Sequence, residues 1–414
     1  MKRFSALILF ILLSVTIVHA QENVDAAYLW DAATGNLIAR FDSDLPIWDA
    51  RLNADGSRLL VALNGGVLRM IATETGDILY ERRLEAERGS FNAPSLIDVR
   101  DPEIMIIRMN EQFHVWSWAA DTLLYSGDAL NREIVPDVSA SRVITMRNEP
   151  PALAIYDGSA PDAPLEISLP DRPMTARWND NGSLIAVIYN GGMRIVDSNS
   201  GEKLFELADA RFGDAYSETV WSPDGRYLAV QMTHSLDYEH SAVGVIDTLS
   251  MRQIGEFPFR VGVFSTEWSA DSRRILTAAY ESAGIRVYDV ESGELVQQYG
   301  NLSDEYLSAQ WNADNTRIVA EAVDSGGDVI NVWDTTNGNN LFERVYPLGV
   351  NDLIWNDARS MVLIRRYPEM TITVIDPANP TEAPITLDHE ADLLGAAWSL
   401  DGARIITWTG ESRG

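Results

Sequence analysis

Beyond residue 20 the chain has four histidines, His114, His234, His240 and His389, and it has no cysteine anywhere. Two imidazoles and two carboxylates fall together in Thr233-His234-Ser235-Leu236-Asp237-Tyr238-Glu239-His240. Those ligand types could hold zinc or another divalent cation, but their spacing suits a solvated loop better, and no metal is expected. His114 lies in Phe113-His114-Val115-Trp116, which reads as a strand with the imidazole in a packing or surface role. No G-x-S-x-G elbow is present to activate a serine. Lys2 and Lys203 are the only lysines, which leaves no phosphate-binding G-x-x-x-x-G-K-[ST] loop and little scope for Schiff-base chemistry. Asn179-Asp180-Asn181-Gly182 has the composition of a tight hairpin turn rather than a calcium loop. No catalytic residue, cofactor or metal ligand is therefore expected.

The charge balance narrows the partners. Over 414 residues, 61 acidic side chains face 32 basic ones, a formal net charge of -29. Such a field repels phosphate backbones and anionic membrane surfaces, so nucleic acid is not expected as a partner. With 46% hydrophobic residues the chain can bury a large core.

A repeat organises that core. Its marker is Trp178, Trp221, Trp268, Trp311, Trp355 and Trp398, each followed by a short turn and an apolar run, as in Trp221-Ser222-Pro223-Asp224-Gly225. Leu52, Ile97 and Pro136 hold the same frame earlier. The nine markers are 45, 39, 42, 43, 47, 43, 44 and 43 residues apart. Halfway along most units an apolar pair precedes an aspartate, as in Leu29-Trp30-Asp31, Ile195-Val196-Asp197 and Val332-Trp333-Asp334. Each unit reads as four short strands separated by turns. Runs such as Tyr227 to Met232 and Arg317 to Ala322 are apolar at most positions, so both faces of these small sheets should be covered.

This pattern resembles the WD40-repeat family of β-propellers, with Trp30-Asp31 and Trp333-Asp334 as copies of the dipeptide that names it. The Trp221 to Gly225 version is also similar to repeats of TolB-type periplasmic propellers. The resemblance spans residues 26 to 409 and implies an all-β fold, a single propeller of eight or nine four-stranded blades. The Gly-His dipeptide of the family is missing, and only Asp388-His389 takes its place. The family's Asp-His-Ser/Thr-Trp hydrogen-bond network is therefore in doubt in eight of nine units.

Closure follows from arithmetic. Sixteen residues follow Trp398 and 32 run from Gln21 to Leu52, which together make a unit of 48. The two ends are read as half-blades that complete one blade across space, covering edge strands that would otherwise aggregate. The units marked by Ile97 and Pro136 are where a blade could be incomplete, and a truncated, longer array is the alternative.

Lys2 and Arg3 precede an apolar stretch from residue 4 to 18, and Val18-His19-Ala20 has the form of a signal-peptidase site. Residues 1–20 are thus read as a signal peptide and 21–414 as the propeller domain, exported to the periplasm or beyond; a retained anchor is the alternative. The loops leading into each marker strand and the connections between second and third strands form one disc face, and in WD40-like proteins that face and the channel mouth hold partners. The loop residues with interface character are Arg211, Phe212, Tyr216, Asp237, Tyr238, Tyr280, Tyr306, Arg365, Arg366 and Tyr367. The leading reading is a monomeric, noncatalytic scaffold that binds a protein partner. The alternatives are a propeller lyase, glycosidase or quinone-dependent dehydrogenase, and a small-ligand or cation sensor.

Overall fold

In the computed structural model, residues 25–410 are described except 54, 85–94, 99–103, 110, 118–121, 130–132, 138, 140, 161, 213–217, 235–236, 260–261, 280–283, 301–303, 348, 357, 359, 366–370 and 390. The signal-peptide reading lies outside the described residues. Those residues contain 36 strands and no α-helix, hence no helix long and apolar enough to cross a membrane.

The strands form nine antiparallel sheets of four. Blade 1 is Ile47–Leu52, Arg58–Leu63, Val67–Ala72 and Ile78–Arg83. Blades 2 to 8 follow at the spacing of the repeat, opening with Ser95–Asp98, Ile134–Pro136, Pro173–Trp178, Thr219–Trp221, Val263–Trp268, Glu305–Trp311 and Asp352–Trp355. The units marked by Ile97 and Pro136 are complete four-stranded blades. Blade 9 combines Leu393–Trp398 and Arg404–Thr409 with Ala26–Asp31 and Leu37–Asp42. The join is a ladder from Ala26↔Thr409 to Asp31↔Arg404. The half-blade closure is thus present, and the count is nine.

Nine apolar clusters hold the described ring together, each shared by two neighbouring blades. Leu29, Phe41 and Trp408 of blade 9 pack on Ile47, Leu59 and Leu63 of blade 1. On its other face blade 9 sets Tyr28, Trp30 and Ile405 against Leu363, Ile372 and Leu387 of blade 8. Side-chain alternation makes this double burial possible. In the second strand of blade 7, Ile318 and Ala320 face blade 6 while Val319 faces blade 8. First strands of successive blades approach one another, and fourth strands carry exposed aliphatics such as Leu37 and Ile78. The first strands therefore line the channel and the fourth form the circumference.

The repeat residues have local duties. Asn53, Asn179, Ser222, Ser269, Asn312, Asn356 and Ser399, each just after a marker, are buried. Their side-chain oxygens accept the backbone N–H that restarts the next strand, as in Arg58 N to Asn53 Oδ1 (2.8 Å) and Tyr227 N to Ser222 Oγ (2.8 Å). The aspartate of the second signature caps the following turn: Asp31 Oδ1 accepts Thr34 N at 2.8 Å, and Asp197 Oδ1 accepts Ser200 N at 2.8 Å. In blade 9, Thr407 Oγ1 accepts the indole N–H of Trp30 at 2.9 Å and lies 2.7 Å from His389 Nε2. One unit thus carries the histidine–threonine–tryptophan part of the network, and it is the unit that welds the termini together.

Candidate binding site at the channel end

Each first strand runs to its marker, so turns between first and second strands all lie at one end of the channel. Connections between blades lie at the other. The marker indoles reach across blade boundaries: Trp178 Nε1 donates to Val135 O (3.0 Å), Trp221 to Arg177 O (3.4 Å), Trp268 to Val220 O (2.9 Å) and Trp398 to Ile354 O (3.0 Å). Every acceptor is the residue before the previous marker. The tryptophans thus serve interblade packing, as their regular spacing suggests.

The residues nominated for a partner divide sharply. Phe212 is fully buried between blades 4 and 5, and Tyr306 is buried between blades 6 and 7. Neither faces outward, because each apolar ring fills the wedge between two blades. Arg211 lies in the connection before blade 5 but is held by Asp209 (Nη2–Oδ2 2.6 Å) and Glu256 (Nη1–Oε1 2.7 Å). Its bond to Asp209 raises the guanidinium's affinity for its proton further. Arg365 is bound to Asp352 and to Leu394 O (3.1 Å), tying blade 8 to blade 9. Tyr216, Tyr280, Arg366 and Tyr367 lie outside the described residues. Asp237 and Tyr238 fall not in a loop but in strand Asp237–Asp247, which pairs with Tyr227–His234 out to His234↔Asp237. The longest repeat is longest because its central hairpin extends, so the expected solvated loop is ladder backbone instead.

A cavity of about 430 Å³ opens at the other end of the channel, among the first strands and turns of blades 5, 6 and 7. Its walls include Glu218, Ser265, Glu267 and Gln310, with Trp221, Trp268 and Trp311 behind them, and Pro223, Ala270, Asn312 and Asn315 at the turns. Two side chains of blade 6 cap the exposed edge of blade 7: Ser265 Oγ accepts Ala309 N (3.1 Å) and Glu267 Oε2 accepts Trp311 N (2.7 Å). This imitates a sheet ladder across the blade boundary and holds Glu267 in place.

The rim carries a local irregularity. The fifth residue of the marker turn adopts a left-handed conformation, and in blades 1, 4, 5 and 9 it is Gly56 (φ 68), Gly182 (φ 68), Gly225 (φ 69) and Gly402 (φ 68). In blades 6 and 7 the same place is taken by Ser272 and Asn315, both at φ 59. A side chain there costs energy that glycine does not. What the side chains do is fasten the preceding turn: Ser272 Oγ accepts Asp224 N and Asn315 Oδ1 accepts Ala270 N, each at 3.1 Å. Their signal was visible as Asp271-Ser272 and Asp314-Asn315 in place of Asp-Gly.

The electrostatics of the inner ring also differ by sector. Asp49 is paired with Arg51 (2.6 Å), Glu133 with Arg177 (2.5 Å) and Asp352 with Arg365. No lysine, arginine or histidine lines the cavity among the described residues.

No family model matches the chain, and no curated protein sequence matches it. Solved structures do resemble it. A eukaryotic initiation factor superposes with a TM-score of 0.65 at 12% identity, over 93% of this chain and 98% of its own. The computationally designed Ika8 protein gives 0.53 at 14% identity, over 78% and 94%. Dihydro-heme d1 dehydrogenase NirN, in complex with DHE, gives 0.53 at 13% identity, over 77% and 73%. At such identities the likeness establishes the β-propeller fold alone.

Proposed function

We propose that this protein is an exported, noncatalytic propeller of WD40-like build that holds a protein partner at the turn end of its channel, beneath blades 5 to 7. The observation that carries the reading is the cavity there, with walls drawn from three successive blades. Its size falls within the range of about 300–1,000 Å³ usual for binding pockets. Its polar groups are pre-positioned by bonds to the fold, Glu267 by Trp311 N and Asn315 by Ala270 N, which lowers the ordering cost of association. The two non-glycine turn residues in blades 6 and 7, held at left-handed φ and fastening the neighbouring turns, support a role for this rim. The connection face is the weaker choice, since two of its arginines, Arg211 and Arg365, are committed to internal ion pairs.

The test is hydrogen exchange with and without a partner captured from the envelope of the producing cell. Protection concentrated in residues 218–223 and 309–315 is expected. Protection confined to the connections before blades 5 and 8 would reject the site, and turnover of a screened substrate that vanishes in Glu218→Gln would reject the noncatalytic reading.

A further inference from the structure

We infer that Arg286, on the flank of blade 6 that faces blade 5, receives a carboxylate group brought by a ligand. Arg286 does not line the cavity described above, so the inference stands apart from the channel-end reading. Three blades set an arginine at the same register of the third strand: Arg69 in blade 1, Arg194 in blade 4 and Arg286 in Ile285–Asp289 of blade 6. Their cross-strand partners on the fourth strand are Glu81, Glu206 and Gln298. In blades 1 and 4 the guanidinium Nε donates to that glutamate, at 2.7 Å in both. In blade 6 a glutamine replaces the glutamate, and Arg286 Nε is buried with no hydrogen-bond partner.

The rest of the guanidinium is held in place without being neutralised. Its Nη1 reaches Tyr288 Oη at 3.5 Å, where Arg69 has Asp44 (2.9 Å) and Arg194 has Ser168 O (3.2 Å). The Phe259 ring, 5.4 Å from Arg286 Cζ and itself edge-on to Tyr288, keeps the side chain against blade 5. A guanidinium projects Nε–H and one Nη N–H in parallel, which matches the two oxygens of a carboxylate. A buried donor without an acceptor is unfavourable, so a carboxylate at this edge gains by relieving it as well as by its charge. Exposed Gln298 stands where the glutamates of blades 1 and 4 stand, so a ligand enters from the circumference, over the fourth strand. One guanidinium balances one carboxylate, whereas a doubly charged phosphate meets the repulsion of a chain with net charge -29 more strongly.

The test is calorimetric titration of the full chain with a short peptide carrying one glutamate, the same peptide with glutamine, free glutarate, and inorganic phosphate. The glutamate peptide is expected to bind at least about tenfold more tightly than the glutamine peptide, a ratio set by one charged hydrogen-bonded group. Arg286→Gln should abolish that ratio. Gln298→Glu should abolish it as well, by supplying the carboxylate from within as in blades 1 and 4, and should raise the melting temperature by about 1 °C or more. This second variant keeps the test intact should Arg286→Gln fail to fold. Glutarate binding as tightly as the peptide would support the site with a small acid as its ligand; tighter binding of the peptide would support it with a protein side chain. Equal binding of the two peptides, absence of binding at millimolar carboxylate, tighter binding of phosphate, or an unchanged ratio in either variant would overturn the assignment. A melting temperature lowered in Gln298→Glu would overturn it too, because the guanidinium would then be unable to take a carboxylate from that side.

Discussion

Blade 9 with blade 1, and blades 5 with 6 and 7, solve the same packing problem in opposite ways. Where blade 9 meets blade 1, Arg404 stretches across the boundary and donates to Gly56 O at 2.6 Å, with Thr73 Oγ1 at 3.3 Å. Arg142 repeats the device between blades 3 and 4, donating to Gly182 O at 2.6 Å. In the cavity sector the turns are linked instead by the short side chains of Ser272 and Asn315. A long cation both braces and fills a boundary; a short polar group braces it and leaves space. The same backbone frame is thus bridged by a long cation where blade 9 meets blade 1 and by short polar side chains in the cavity sector.

The largest expected effect tests the weld. Removing residues 21–45 deletes Ala26–Asp31 and Leu37–Asp42, half of blade 9, and exposes the clusters on both of its faces. Thermal unfolding followed by circular dichroism should lose its single transition or fall by more than about 10 °C. An unchanged midpoint would show that closure contributes nothing to stability.

Arg404→Ala comes next. The change removes a charged donor from Gly56 O, and a loss of about 1.5–3 kcal/mol in denaturant-derived stability is expected. Gly182→Ala should cost about 1–2 kcal/mol, because its φ of 68 disfavours a side chain and an added Cβ would lie 2.8 Å from Arg142 Nη2. In the cavity sector the reverse change, Ser272→Gly with Asn315→Gly, relieves strain while losing two hydrogen bonds. Its net effect on stability should stay within about 1 kcal/mol, while affinity for a partner held at this end of the channel falls as the rim loosens. A double variant that unfolds would place these two residues with the braces rather than with the site.

The smallest effect concerns pH on the far side of the cavity sector. Burial, and then the charges of Asp328 and Asp352, push the Glu321 carboxyl up to about 7 from its ordinary 4.5. The folded chain holds this proton more tightly than the unfolded chain. Its contribution is complete below about pH 4.5 and is lost as pH rises through about 7. Glu321→Gln should therefore flatten the dependence of melting temperature on pH over that window and raise the midpoint at pH 8 by roughly 1–3 °C. A lower midpoint at pH 8 would show that the ionised carboxylate has a favourable role.

Much of the frame was legible because it repeats. Asp-Gly turns, marker tryptophans and apolar runs recur at about the same spacing, and each is a local preference of a few residues for a turn or strand. The complementary end lengths foretold the weld for the same reason. Phe212 and Tyr306 misled because an aromatic residue between strands has the same local signature whether it faces solvent or fills a wedge between blades. The extended hairpin from Tyr227 to Asp247 misled because polar composition masked ladder pairing.

The sequence by itself determined a ring of eight or nine repeat units, their four-stranded order and the joining of the ends, since these depend on spacing and short-range propensity along one chain; that all nine are complete blades only the structure decided. Only the tertiary structure decided where the pocket lies. That outcome depends on side chains about 44 residues apart, such as Glu267 and Trp311, meeting across a blade boundary, and on which boundaries an arginine happens to fill. Such meetings are set by the radial packing of whole sheets, a property that no single repeat contains.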